Sequence, residues 1–127
     1  MNKAVFLDRD GVINNVIFRN GNNLKPIAPW IMKEFRLIPG IKKPLLDLSK
    51  LGFKLFIVTN QPDIGNGVIS QTFVEKVNKN ILRDLPIDEI KVCPHVDLNG
   101  CDCRKPKSGM ITSLAIKRDI DCQESFM

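Results

Sequence analysis

Lys3-Ala4-Val5-Phe6-Leu7-Asp8-Arg9-Asp10-Gly11 decides how this chain folds. The run from Lys3 to Leu7 is compact and mostly apolar, and it breaks abruptly into charge and glycine. That pattern reads as a buried strand delivering polar residues to a turn at its C-terminal end. Open α/β sheets gather their ligands at that end.

Working outward, Asn14 to Pro39 is irregular. Asn20-Gly21-Asn22-Asn23 marks a turn, and Pro26 and Pro29 interrupt regular structure before Trp30, so this stretch is expected to be a loop or small flap over the strand end. Ile41, Leu45, Leu48 and Leu51 recur at helical spacing, and Gly52 is placed to end a helix from Ile41 to Leu51. Phe53 to Thr59 is a second buried strand ending in Thr59-Asn60-Gln61, followed by Pro62, Gly65 and Gly67. Thr72 and Glu75 form a candidate capping box for a second helix, whose stripe of Phe73, Val74, Val77 and Ile81 runs to about Leu82. Ile87 to Val92 is a weaker third strand. Ser108 is placed to cap a last helix carrying Ile111, Leu114 and Ala115 and ending near Ile120.

Strands alternating with helices predict an α/β fold, a Rossmann-like parallel sheet with right-handed crossovers and helices on both faces. One domain over residues 1–127 is expected, since a chain of 127 residues buries one core and not two. Apolar and charged fractions of 43% and 26% argue against disorder. The longest apolar runs, Ala4 to Leu7 and Leu55 to Val58, are far too short to span a bilayer, and no signal peptide fits ahead of the first strand. No membrane partner is therefore expected, and the cytoplasm is the expected location. The net charge of +5 would suit nucleic acid, a membrane surface or an acidic metabolite alike. The cations are scattered, and the densest cluster, Arg104-Lys105-Pro106-Lys107, has no interleaved aromatics to stack bases. A small phosphorylated substrate is the favoured partner, with no nucleic acid.

Two carboxylates, one on a strand tip and one in the turn beyond it, suit a division of labour. Phosphoryl transfer needs a nucleophile, a proton donor for the leaving oxygen, and cations for the equatorial oxygens. Asp8, Asp10, a divalent cation and Lys105 supply all three, and Mg²⁺ takes carboxylate and carbonyl oxygens. By itself Asp-x-Asp-Gly also caps an ordinary turn, and an Arg-Lys pair is also an ordinary solvated face.

Cys93-Pro94-His95 and Cys101-Asp102-Cys103 place four soft or borderline ligands within eleven residues, together with the only histidine of the chain. Tetrahedral Zn²⁺ is the natural reading, although the spacing is not that of a zinc finger. A disulfide is the competing reading, disfavoured by Cys-x-Cys geometry and by a reducing compartment. Cys122 stands apart and reads as an ordinary small apolar residue.

Asp8-Arg9-Asp10-Gly11-Val12-Ile13-Asn14 after an apolar strand resembles the first motif of the haloacid dehalogenase superfamily of phosphatases. Thr59-Asn60-Gln61-Pro62 looks like its second motif, and Cys103-Arg104-Lys105-Pro106-Lys107-Ser108-Gly109 like its third. Within the superfamily the chain is most similar to the D-glycero-D-manno-heptose 1,7-bisphosphate 7-phosphatases and the related histidinol-phosphate phosphatases. The resemblance implies that Asp8 is the nucleophile and a Mg²⁺ ligand. It implies that Asp10 is the general acid and then base, with its backbone carbonyl on the metal. Thr59 and Lys105 would hold the transferring phosphoryl group, and Asn60, Gln61 and Arg104 would contact the substrate, with Arg104 a candidate for a second phosphate. The subfamily carries a zinc loop at this place, which maps onto Cys93, His95, Cys101 and Cys103. With four ligands the ion would be structural, and would aim the adjoining Arg104 and Lys105.

The family also implies a fourth motif after a further strand beside the one bearing Asp8. Ser125-Phe126-Met127 looks like the opening of that strand. The sequence thus predicts a sheet truncated before its fourth core strand, with an apolar edge open to self-association.

Overall fold

The structure, a computed structural model, describes residues 1–19, 25–96 and 100–127. Its centre is a parallel three-stranded sheet in the order β1-β4-β5, formed by Lys3–Leu7 (β1), Phe53–Asn60 (β4) and Glu89–Cys93 (β5). Lys3 faces Phe53 and Leu7 faces Ile57, while Phe56 faces Glu89 and Asn60 faces Cys93. All three C-terminal ends therefore point the same way, which brings Asp8, Asn60 and the segment after Cys93 to one rim.

Strand β4 explains the layering. Leu55, Phe56, Ile57 and Val58 are all fully buried, as expected of a parallel strand covered on both faces. Successive side chains point to opposite faces. Phe56 and Val58 join Ala4, Phe6, Cys93, Met110, Leu114 and Ile120 on the side of α4 (Gly109–Arg118). Leu55 and Ile57 join Leu45 of α1 (Lys42–Lys50) and Val77 and Ile81 of α3 (Gln71–Asp84) on the other side. The expected three layers are present.

Several local expectations shift. The stretch from Asn14 to Pro39 is more regular than its prolines suggest, because Ile17–Phe18 (β2) and Pro26–Ile27 (β3) pair antiparallel. Pro26 is tolerated because a two-stranded ribbon is all edge and a missing N–H can face outward. The turn expected at Asn20 to Asn23 lies outside the described residues. Pro62 starts rather than breaks structure, opening the single-turn helix α2 (Pro62–Gly65) at its first position. The cap of α3 is Ser70, whose Oγ accepts from the Phe73 N–H at 3.0 Å, so Thr72 lies inside the first turn instead of ahead of it. Ser108 occupies the N-cap of α4 without making a capping bond. Cys122 is exposed, in a short 3₁₀ turn, and not an apolar packing residue.

The segment expected to open a further strand does lie along β1. Phe126 forms a parallel bridge with Val5, accepting from the Phe6 N–H at 2.9 Å and donating to the Ala4 carbonyl at 3.0 Å. It lies on the side of β1 away from β4, and covers part of the edge expected to be bare.

Gly109 marks where the fold tolerates no side chain. Its N–H donates to the Asp102 carbonyl at 3.0 Å, and a Cβ built there would lie 2.4 Å from that oxygen. Gly109→Ala is expected to cost about 1–3 kcal/mol in urea unfolding, by forcing α4 away from the Cys101–Cys103 segment. Unchanged stability would show that this contact relaxes freely.

Candidate active site and metal centre

A hollow of about 370 Å³ opens at the C-terminal rim of the sheet, lined by Asp8, Asp10, Asn60, Gln61, Asp63 and Lys105, with Val16, Pro26, Ile27 and Ala28 of the flap as its far wall. The chain reaches it because the parallel register carries each strand end to the same height. Asp8 stands at the tip of β1 with its side chain half-exposed. Its Oδ1 accepts from the Arg9 N–H at 2.8 Å and lies 3.0 Å from the Lys105 ammonium. Among the described residues its Oδ2 accepts no hydrogen bond, which leaves one carboxylate oxygen facing the hollow.

Asp10 is held differently. Oδ1 accepts from the Arg9 guanidinium at 2.9 and 3.2 Å and from Asn14 Nδ2 at 3.0 Å, and Oδ2 accepts from Gln61 Nε2 at 2.7 Å. Four donors fix both oxygens of a carboxylate that remains one-sixth exposed.

Arg9 is the residue that the sequence reading passed over. Its guanidinium is 1% exposed and also donates to Gln61 Oε1 at 3.2 Å and Asn78 Oδ1 at 3.4 Å. The available signal was its position: a cation between two acids at a buried strand end is forced inward when both neighbours face the rim. Arg9→Met is expected to destabilise the chain by about 2–4 kcal/mol in urea unfolding, because it strips the principal partner from Asp10. A change below about 0.5 kcal/mol would show that Asn14 and Gln61 suffice.

Two residues expected to contact substrate line the hollow but are also engaged with protein groups. Gln61 is 1% exposed, and its amide is consumed by Asp10, by Thr59 Oγ1 at 2.9 Å and by Arg9. Asn60 accepts from the Lys105 N–H at 2.9 Å and donates to the Lys105 carbonyl at 3.2 Å, clamping that residue's backbone from both sides. Both amides position protein groups. Thr59 is also 1% exposed and sits below the hollow, not on its wall. Arg104 points elsewhere: it lines an adjoining hollow of about 120 Å³ with Lys105 and Lys107, and one of its amines donates to the His95 carbonyl at 3.1 Å.

Among the described residues the lining carries the carboxylates of Asp8, Asp10 and Asp63 against the single ammonium of Lys105. An anionic phosphate enters such a hollow only with added positive charge, and oxygen donors at a strand end fit Mg²⁺. The carboxylate of Asp8 and the backbone carbonyl of Asp10 are the groups that would hold it.

The four residues of the second metal expectation come together in a group that could hold a metal ion. Cys93, His95, Cys101 and Cys103 converge, with their ligand atoms all within 4.8 Å of one another. Cys93 Sγ lies 3.6 Å from Cys101 Sγ and 3.5 Å from His95 Nδ1, and His95 Nδ1 lies 3.3 Å from Cys103 Sγ. Ligands of a tetrahedral Zn²⁺ with bonds near 2.3 Å stand ~3.8 Å apart, so the donor set suits the ion, with the Cys103 and Cys93 sulfurs, now 2.9 Å apart, having to separate to admit it. No disulfide joins them, and all are free thiols. Burial pushes the Cys101 thiol up, but the Arg104 backbone N–H and the Cys103 and Cys93 thiols outweigh it and bring it down to about 6. Burial and the Cys93 and Cys101 thiols push Cys103 up to about 12. A metal that binds here must displace the protons these thiols hold, so its affinity falls as the pH falls.

Comparison with known proteins agrees with this geometry. Residues 10–126 match the family described as polynucleotide kinase 3 phosphatase. The chain is 34% identical to the D-glycero-beta-D-manno-heptose-1,7-bisphosphate 7-phosphatase of Haemophilus influenzae, covering all of this chain and 70% of that protein. It is also 34% identical to the D-glycero-alpha-D-manno-heptose-1,7-bisphosphate 7-phosphatase of Campylobacter jejuni, covering 98% and 69%. A crystal structure of the D,D-heptose 1,7-bisphosphate phosphatase of B. bronchiseptica, complexed with magnesium and phosphate, superimposes with a TM-score of 0.75 at 26% identity. That match covers 95% of this chain and 65% of the other, so the chain spans somewhat under two thirds of that structure.

Proposed function

We infer that this chain, which belongs to the haloacid dehalogenase superfamily and within it to the polynucleotide kinase 3 phosphatase family, is a Mg²⁺-dependent phosphatase of a small sugar phosphate. The substrate we propose is D-glycero-D-manno-heptose 1,7-bisphosphate, cleaved at the 7-phosphate, in the cytoplasm and in service of surface-glycan heptose. The names of the relatives support that substrate. Among the described residues no helix is long and apolar enough to cross a membrane.

One observation carries the chemistry: the carboxylate of Asp8 has an unengaged oxygen on the hollow while its other oxygen meets the Lys105 ammonium at 3.0 Å. In the proposed reaction Asp8 Oδ2 attacks phosphorus, the P–O bond to the sugar breaks, and Asp10 gives the departing oxygen its proton. Asp10 then takes a proton from water, whose oxygen attacks the aspartyl-phosphate and releases inorganic phosphate, regenerating the Asp8 carboxylate and the protonated Asp10 with which the cycle began. Lys105 faces the phosphoryl oxygens throughout. Mg²⁺, when bound, offsets their remaining negative charge. Arg9, Asn14 and Gln61 hold Asp10 in register, and Asn60 holds Lys105. Arg104 and Lys107, beside the adjoining hollow, are placed for the distal phosphate. Zn²⁺ at the four-residue cluster would be structural.

Phosphate release measured with Mg²⁺ on the heptose bisphosphate, histidinol phosphate and a 3′-phosphorylated oligonucleotide tests the reading. Preference for either of the last two would replace the substrate named here. In the same assay Asn60→Ala is expected to lower kcat about tenfold, since a lysine freed to move loses its alignment with the phosphoryl group. An unchanged kcat would mean that the zinc loop alone positions Lys105.

A further inference from the structure

Asp63 enters none of the steps above, yet it lines the same hollow. It is the second residue of α2, half-buried, and one of its oxygens is occupied: Oδ2 accepts from the Trp30 indole N–H at 3.0 Å. Among the described residues Oδ1 accepts nothing. Trp30 is itself locked in place. The Arg19 guanidinium stacks 3.7 Å from its ring centre, Arg19 pairs with Glu34 at 2.6 Å, and Glu34 accepts from the Trp30 backbone N–H at 2.9 Å. The flap therefore delivers a rigid indole whose only polar atom orients the Asp63 carboxylate. A carboxylate oriented by one bond, with its second oxygen on a cavity wall, is how a binding site presents an acceptor to a neutral donor.

Charge selects the donor. With Asp8, Asp10 and Asp63 against one ammonium in the hollow, the end at Asp63 repels a second phosphate and accepts hydroxyl protons. The cationic hollow of Arg104, Lys105 and Lys107 lies apart from Asp63 and shares only Lys105 with the first.

We propose that Asp63 is a specificity-determining residue, accepting a hydroxyl of the substrate's sugar on Oδ1 while Trp30 fixes its orientation. This rests on the phosphatase reading above and narrows its substrates to monoesters bearing a hydroxyl near the scissile phosphate. A buried acceptor left without its donor is costly, so such a residue rejects ligands that lack the hydroxyl.

The test compares two substrates on the full chain: the heptose bisphosphate, which is rich in hydroxyls, and p-nitrophenyl phosphate, which has none. Asp63→Ala is expected to lower the ratio of kcat/KM for the sugar over the aryl ester about tenfold, mainly by raising KM for the sugar. Trp30→Phe, which keeps a ring beneath Arg19 but removes the N–H, should move the ratio in the same direction by about threefold. Asp63→Asn keeps an acceptor for Trp30 and should fall between wild type and Asp63→Ala. An unchanged ratio in Asp63→Ala, with both substrates slowed equally, would overturn the assignment and leave Asp63 a brace for the flap. If the wild-type chain releases phosphate from neither substrate, the phosphatase reading itself falls, and this inference with it.

Discussion

Asp8→Asn is expected to reduce Mg²⁺-dependent phosphate release by at least ~10³-fold, the scale on which removal of a catalytic nucleophile acts. The substitution is nearly isosteric and tests chemistry without disturbing packing. Asn keeps a carbonyl oxygen that can still accept from the Arg9 N–H, as Asp8 Oδ1 does at 2.8 Å. It lacks the anionic oxygen that would attack phosphorus, and it no longer neutralises the Lys105 ammonium. Because the side chain is half-exposed at a strand tip, the fold has little stake in it. Thermal unfolding should therefore stay within about 2 °C of wild type, on the relation between ΔΔG and Tm for a domain of this size. Retention of more than about a tenth of the activity, with Mg²⁺ present and the protein folded, would remove Asp8 from the role of nucleophile.

The second large effect is expected at the thiol cluster. Cys103→Ser should abolish stoichiometric Zn²⁺ binding, lower Tm by about 10 °C and reduce kcat by about 10–100-fold. Structural Zn²⁺ contributes on the order of 10 kcal/mol in isolated peptide sites. Here the rest of the domain has its own core, so only the ordering of one loop draws on that energy. The loop matters to turnover because Cys103 is followed directly by Arg104 and by Lys105, whose ammonium lies against Asp8. The Asp102 carbonyl also meets the first residue of α4 through the Gly109 N–H. Releasing Cys103 loosens the loop at both ends, while Asn60 still holds the Lys105 backbone, which is why a partial rather than total loss of kcat is expected. Metal analysis of purified protein checks the first effect, and scanning fluorimetry with and without chelator the second. A wild-type chain that carries no Zn²⁺ after reconstitution, or a variant with unchanged Tm, would show that the thiols pack without a metal.

The expectations that succeeded share a physical cause. Leu55 to Val58 and Ala4 to Leu7 are apolar on both faces, and only a sheet covered on both sides can bury them, so strand, layer and rim follow from composition alone. The four candidate metal ligands sit so near each other in sequence that almost any compact loop would bring them together. Boundaries failed where competing signals lay a residue or two apart, as at Ser70 against Thr72.

The division between chain and fold runs through the site itself. The sequence by itself determined the sheet, the pair Asp8 and Asp10 at its rim and the thiol cluster, because local pattern and short-range spacing encode each. Only the tertiary structure decided that Arg9 turns inward, that Gln61 and Asn60 serve protein groups, and that Trp30 reaches Asp63 across 33 positions of chain. A side chain's hydrogen-bond partner depends on which distant elements share its neighbourhood, and burial makes that choice binding, since a polar group removed from water must find a partner wherever the fold supplies one.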